Sequence, residues 1–147
     1  MAATPDQVYA VLSDPTRVGE WSHEAHRARW LGQPAAPVVG ARFVGSNRVG
    51  LMRWDMPCTI IAAEPGRRFA YHTRNGRPGT EWDYTLVPSG EGTRVLQRWR
   101  ILHLPRPAEI LIHLAIPAHR DRREALADDL VRLGEVAARE HRPAAAA

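Results

Sequence analysis

Two side chains toward the C-terminal end of the chain have the types and spacing for proton chemistry. His119 and Arg123 lie one helical turn apart in the sequence. A neutral imidazole facing an apolar pocket serves as a general acid or base near neutral pH. A guanidinium one turn on can hold an oxyanion or a carboxylate. His113 stands just upstream, with its phase left open by Pro117. In the plainer alternative His119 caps a packed helix end and Arg123 runs out to solvent on its aliphatic stem.

The second chemical set is aromatic. Trp54, Phe69, Tyr71, Trp82, Tyr84 and Trp99 would give a cavity flat apolar walls, with indole and phenol groups to hydrogen-bond a ring-bearing ligand. Ordinary core filling of an antiparallel sheet is the alternative. Gln97 is in phase with Val95 and Trp99, so it points a polar amide inward. A buried amide needs partners, which makes it either a ligand contact or part of an internal network.

Other chemistries are poorly supported. His23 and His26 are three apart in what reads as a loop, without the helical spacing of a zinc protease motif, and no metal site is expected. The lone Cys58 reads as a small buried hydrophobe. Nucleophile-elbow, phosphate-loop and dinucleotide signatures are missing; Gly45 to Gly50 lacks the needed lysine and reads as a hairpin loop. No cofactor is implied, and no pair of carboxylates is expected inside.

These groups need elements to hold them. Thr4-Pro5-Asp6 is a helix start: a hydroxyl cap, proline at the first helical position and an acid in the first turn. Val8, Val11 and Leu12 continue it, and Asp14-Pro15 ends it. Val18 to Trp21 reads as a short turn, and Trp30 to Pro37 as a loop. Strands are predicted over Ala41–Gly45, Met52–Glu64, Arg68–Thr73, Glu81–Val87 and Thr93–Leu102. Pro65-Gly66, Asn75-Gly76 with Pro78-Gly79, and Ser89 to Gly92 break them, which implies an antiparallel meander. Alternation puts Trp82, Tyr84 and Leu86 on one face and Glu81, Asp83 and Thr85 on the other. Phe69, Tyr71 and Thr73 likewise oppose Ala70, His72 and Arg74. Ala118 to about Glu140 reads as a long helix of roughly 34 Å. Its inner stripe is Leu126, Leu130, Leu133 and Ala137, and Leu126 and Leu130 would face a ligand.

The chain has 147 residues, 44% hydrophobic and 24% charged. That bounds it to one globular domain, taken as residues 1–142, with the alanine tail 143–147 disordered. A single cysteine allows no internal disulfide and fits a reducing cytoplasm. The apolar run from Ala108 to Pro117 is interrupted and too short to span a bilayer, so no membrane insertion is expected. Net charge is +4, carried by arginine alone. On the C-terminal helix Arg120, Arg122, Arg132, Arg139 and Arg142 alternate with Asp121, Glu124, Asp128 and Asp129. That is a solvated face and no nucleic-acid footprint.

Ala3 to Trp21 resembles the opening of the SRPBCC (START/Bet v 1-like) superfamily, in its polyketide cyclase/dehydrase-like branch. Three later stretches agree in order: Ala63-Glu64-Pro65-Gly66-Arg67-Arg68-Phe69, Trp82 with Tyr84, and Gly92-Thr93-Arg94-Val95. Leu130-x-x-Leu133 completes the match, which covers nearly the whole chain. The resemblance implies an α+β helix-grip fold, a curved antiparallel sheet wrapped around the long C-terminal helix. It also implies a hollow for an apolar aromatic, polycyclic, polyketide- or lipid-like molecule, and a segment around Trp21 and Asp14-Pro15 that shapes the rim. Function is left between a carrier or sensor, a cyclase or dehydratase, and a regulatory or protein-interaction module. Family members usually open with a full strand; here only Met1 to Thr4 precede the first helix. Either the native start lies upstream or the first strand is short or missing. A missing strand would expose the edge of Thr93–Leu102 and favour a homodimer.

Overall fold

The computed structural model describes residues 1–74, 79–102 and 122–139. Helix α1 spans Pro5–Leu12. Thr4 caps it as expected, and Gln7 reaches back to the Thr4 N–H at 2.8 Å, a reciprocal capping box. Val8, Val11 and Leu12 face inward and are buried. Asp14 then accepts from the Thr16 N–H at 2.9 Å and opens a 3-10 turn over Pro15–Glu20, longer than the predicted turn.

Six strands follow in sequence order, β1 to β6, all antiparallel. They are β1 Ala25–Leu31, β2 Arg42–Val49, β3 Met52–Glu64, β4 Arg68–Thr73, β5 Gly79–Ser89 and β6 Gly92–Leu102. β3 and β4 match the expected boundaries, and β5 and β6 extend theirs. Three expectations need correction. Ala25–Leu31 is a strand, so His26 and Trp30 lie in β1 rather than in loops. Gly45 to Val49 is strand too, and the hairpin turns only at Gly50 and Leu51. β1 escaped notice because His-Arg-Ala-Arg lacks β-branched residues; it is an edge strand whose pairing with β2 supplies the order. A bulge between Ile60 and Ala62 in β3 bends the sheet.

Helix α2 is described over Arg122–Arg139. The predicted helix start at Ala118, its end at Glu140, the turn residues 75–78 and the tail 143–147 fall outside the described residues. Leu133, Val136 and Ala137 of α2 share one core cluster with Val8, Val11 and Leu12 of α1 and with Phe69, Tyr84 and Leu86 of the sheet; α2 lies against α1, and α1 against β4, β5 and β6. Gly66 has φ 65 and faces α1 so closely that a Cβ there would collide with the Asp6 carboxylate. That contact pins the β3–β4 turn to α1.

The convex face is wet. His72 Nε2 and Arg100 Nη2 meet the Glu81 Oε2 at 2.8 and 3.0 Å. Arg68 grips Asp83 with its shortest contact at 2.7 Å. At the sheet edge the Met1 ammonium donates to the Thr93 carbonyl at 2.9 Å, and the Thr93 N–H returns to the Met1 carbonyl at 3.0 Å. Residues 1–3 thus touch β6 at its first residues, and no described strand lies along the rest of that edge.

Two outcomes follow. Leu133 is fully buried, so Leu133→Ala should cost about 2–5 kcal/mol in chemical denaturation. The hydrogen bonds from Arg100 and His72 hold the Glu81 carboxyl below its ordinary range. Its contribution is therefore present above its unfolded value and lost as pH falls through the lower folded one. Glu81→Gln should lower stability at neutral pH and flatten its acid dependence, as read from urea midpoints across that pH range.

Candidate functional site

The concave face carries the aromatic set in rows set by strand register. Tyr71, Trp82 and Trp99 are directly opposite one another across β4, β5 and β6, and Phe69, Tyr84 and Gln97 form the next row. The two rows differ in cover. Phe69 and Tyr84 are buried under α1, Trp21 and α2, whereas Tyr71, Trp82, Gln97 and Trp99 are only half-buried. Trp82 and Trp99 lie tilted with ring centroids 6.4 Å apart. Phe43 meets Tyr71 edge-on at 5.3 Å, and Trp30 extends the series through Phe43 at 6.3 Å. Trp54 shares this face farther along β3, opposite Asn47, and is half-buried.

Among the described residues, the helices gather at one end of the sheet and no described element lies over the aromatic row at the other. The best-formed clefts among the described residues are elsewhere. One of about 570 Å³ runs between Glu64–Arg68 and Thr85–Pro88; another of about 510 Å³ lies between Met1–Ala2, Thr93–Val95 and Leu130–Ala138. Leu130 touches the second. Leu126 and Leu130 are half-buried, as an inward stripe requires, while Arg123 is exposed at the start of α2. His113 and His119 lie outside the described residues.

Polar groups gather where the two rows meet. Gln97 Nε2 donates to the Tyr84 hydroxyl at 3.1 Å, so the inward amide belongs to an internal network. Burial pushes the Tyr84 phenol up to about 12, and hydrogen bonds to Gln97 and Tyr71 pull it back only in part. Tyr71 is raised well above its usual value, first by burial and then by the neighbouring Tyr84 and Cys58. Burial likewise pushes the Cys58 thiol up to about 12. These groups stay neutral at physiological pH and act as hydrogen-bonding surface, not as nucleophiles. The buried Trp21 indole N–H has no partner among the described residues, and its ring stands edge-on to Tyr84 at 6.5 Å.

One pair corrects the sequence reading. Asp129 does not belong to the solvated face of α2: it is 3% exposed. Its Oδ1 accepts the His23 backbone N–H at 2.8 Å and its Oδ2 meets His23 Nδ1 at 2.7 Å. Burial raises the Asp129 carboxyl above its ordinary value, and the His23 contacts and Arg132 oppose that rise. In the tautomer where Nδ1 donates to the carboxylate, Nε2 carries the ring's lone pair. This is the arrangement in which a buried carboxylate orients a base. The His23 side chain is 32% exposed, at the border between the core and solvent. No periodic signal could have found the pair, because its members are 106 residues apart. The described residues bring together no group of histidine, cysteine and carboxylate side chains that would hold a metal.

A curved meander closed at one end by helices, with aromatic rings left over at the other, defines the helix-grip class of α+β domain. The chain belongs to the polyketide cyclase / dehydrase and lipid transport family, whose sequence model matches residues 1–133. Similar folds include a polyketide-cyclase-like protein of Corynebacterium glutamicum, 29% identical with a TM-score of 0.51, covering 98% of this chain and 92% of that one. An AHSA1-like protein of Aeromonas hydrophila is 20% identical with a TM-score of 0.61, covering 98% and 93%. The di-domain ARO/CYC protein StfQ of the steffimycin biosynthetic pathway is 13% identical with a TM-score of 0.65; the match covers 95% of this chain and 43% of StfQ. No protein of curated function matches the chain.

Two measurements probe this chemistry. Cys58 should resist thiol reagents at pH 8 in the native state and react at the unfolding rate once denaturant is added. Asp129→Asn keeps an acceptor for the His23 N–H but presents an amide to Nδ1. The His23 ring should then move its proton to Nε2, visible in long-range nitrogen–proton NMR spectra; an unchanged tautomer would show that Asp129 does not set it.

Proposed function

We propose that the protein binds a hydrophobic, ring-bearing molecule, polyketide- or lipid-like, on the aromatic floor of its sheet, as a carrier or sensor. The observation that carries this reading is the half-buried row of Tyr71, Trp82 and Trp99 beside fully buried neighbours on the same face. Large aromatic side chains gain most when removed from water; a row left part-covered is surface available to a guest. Membership of a family described by cyclases, dehydrases and lipid transport supports it. The lone buried thiol accords with a cytoplasmic setting.

Titration with 1-anilinonaphthalene-8-sulfonate tests the reading. Saturable binding with quenched tryptophan emission is expected. Trp82→Ala and Trp99→Ala should each weaken it about tenfold, as the loss of one ring contact and its buried area implies. No saturable binding, or wild-type affinity in both variants, would refute the floor as a binding surface.

A second reading, a cyclase- or dehydratase-type enzyme, is favoured by the oriented imidazole of His23. There Nε2 would take a proton from the carbon beside a ligand carbonyl, leaving the electron pair on the carbonyl oxygen as an enolate. Proton return completes an exchange without any other reactant. His119 and Arg123 remain candidates for the same chemistry. Deuterium uptake by the methyl group of 2-acetylnaphthalene in heavy water, followed by NMR, decides between the readings. An enzyme accelerates it and loses that acceleration in His23→Ala, whereas a carrier leaves the background rate unchanged.

A further inference from the structure

Among the described residues, Met52 to Pro57 of β3 pair only with β2, because pairing of β3 with β4 begins at Cys58; on its other side β2 is held by β1 as far as Asn47, and the Arg48 N–H donates to the Glu24 carbonyl at 2.9 Å. The β2–β3 hairpin therefore overhangs β4 by about 20 Å, at about 3.4 Å per residue. Its end is apolar and bare. Val49 is 45% exposed, Met52 66% and Leu51 fully exposed, and Gly50 turns the chain with φ 58. Isolated apolar side chains on a surface are ordinary, but a run of them at a hairpin end is not. Just behind the tip, Arg48 and Arg53 are directly opposite each other. Like charges so placed destabilise a strand pair. Neither guanidinium has a carboxylate partner among the described residues, and the nearby Asp55 accepts from the Ser46 hydroxyl at 2.7 Å.

We propose that this hairpin end docks the protein on an anionic lipid bilayer. Val49, Leu51 and Met52 enter the acyl boundary, and Arg48 and Arg53 form a collar that takes lipid phosphates. Three features select a bilayer over a protein. The tip offers only a few side chains, far short of the roughly 800 Å² per partner that a stable protein interface needs. A fluid apolar surface accepts a small apolar turn at the corner of a sheet without a matching cleft. Two unpaired guanidiniums behind an apolar end complement a layer of phosphates above hydrocarbon. No described helix is long and apolar enough to cross a membrane.

The hairpin also points to a route. Met52, Trp54 and Met56 alternate onto the concave face of β3, and Met56 packs against the core cluster. Exposure falls along them from the tip inward. An apolar guest leaving the bilayer would follow that strip to the aromatic floor. Only this route rests on the proposed binding function; the docking itself does not.

Vesicle flotation tests the proposal, with phosphatidylcholine alone and with phosphatidylcholine mixed with phosphatidylglycerol. The protein should float with the anionic vesicles only, and less as salt screens the arginines. Leu51→Glu should abolish flotation. Arg48→Gln and Arg53→Gln should each lower partitioning about fivefold, the usual loss for one basic residue at an anionic surface. All three positions are exposed, so thermal unfolding and anilinonaphthalene sulfonate binding should match wild type; failure of dye binding in wild type would count against the aromatic floor alone. The docking proposal is overturned if wild type ignores anionic vesicles or Leu51→Glu floats unchanged. It is also overturned if light scattering shows a dimer that Leu51→Glu dissolves, which would make the tip a self-association surface.

Discussion

A single helix cannot cover a six-stranded sheet. Six strands span about 24 Å at about 4.8 Å per step, and a helix with its side chains is about 10 Å across. In this fold α1, Trp21 and the described part of α2 gather at one end in a single core cluster with Phe69, Tyr84 and Leu86. Among the described residues, the remaining concave surface carries only its own large side chains. Tyr71, Trp82, Trp99 and Trp54 occupy it without sealing it. The binding reading rests on that partial cover.

The polar groups sit on the boundary between the filled and unfilled ends. Tyr84 lies under the helices, yet its hydroxyl is held by Gln97, one strand over on the half-buried side. Asp129 and His23 tie α2 to the segment between the 3-10 turn and β1. A buried carboxylate is expensive unless hydrogen-bonded, and His23 offers it two donors. A contact that ties α2 to this segment thus also holds the imidazole in place at the edge of the core. Structural and chemical roles need not be separate at such a boundary.

The two faces of the sheet divide the remaining work. On the convex side, Arg68–Asp83 and His72–Glu81–Arg100 cross neighbouring strands and keep that face in water. Cross-strand pairs of this kind each add little at the surface; their larger effect is on register, because a one-residue slip would drive charges into the aromatic rows. The ordering of Tyr71, Trp82 and Trp99 is thus protected from the opposite face. Arg48 and Arg53 break the pattern of opposed charges, which sets the hairpin apart from the rest of the sheet.

How much of this was legible in the sequence depends on how local its cause is. The Thr4 cap, the stop at Asp14-Pro15, the span of β3 and β4 and the inward faces of β4 and β5 follow from neighbouring residues and a period of two, and they stand as read. β1 lacked any local signal, since its order comes from β2 alongside it. Asp129 falls near the edge of the apolar stripe, where periodicity cannot tell buried from exposed. Its burial was decided by His23, far away in the chain and brought near only by folding. The chain's own chemistry thus determined the elements and which faces are greasy. Tertiary packing alone decided which rings are half-buried among the described residues and which carboxylate goes inside, because both depend on segments far apart in the chain being brought together.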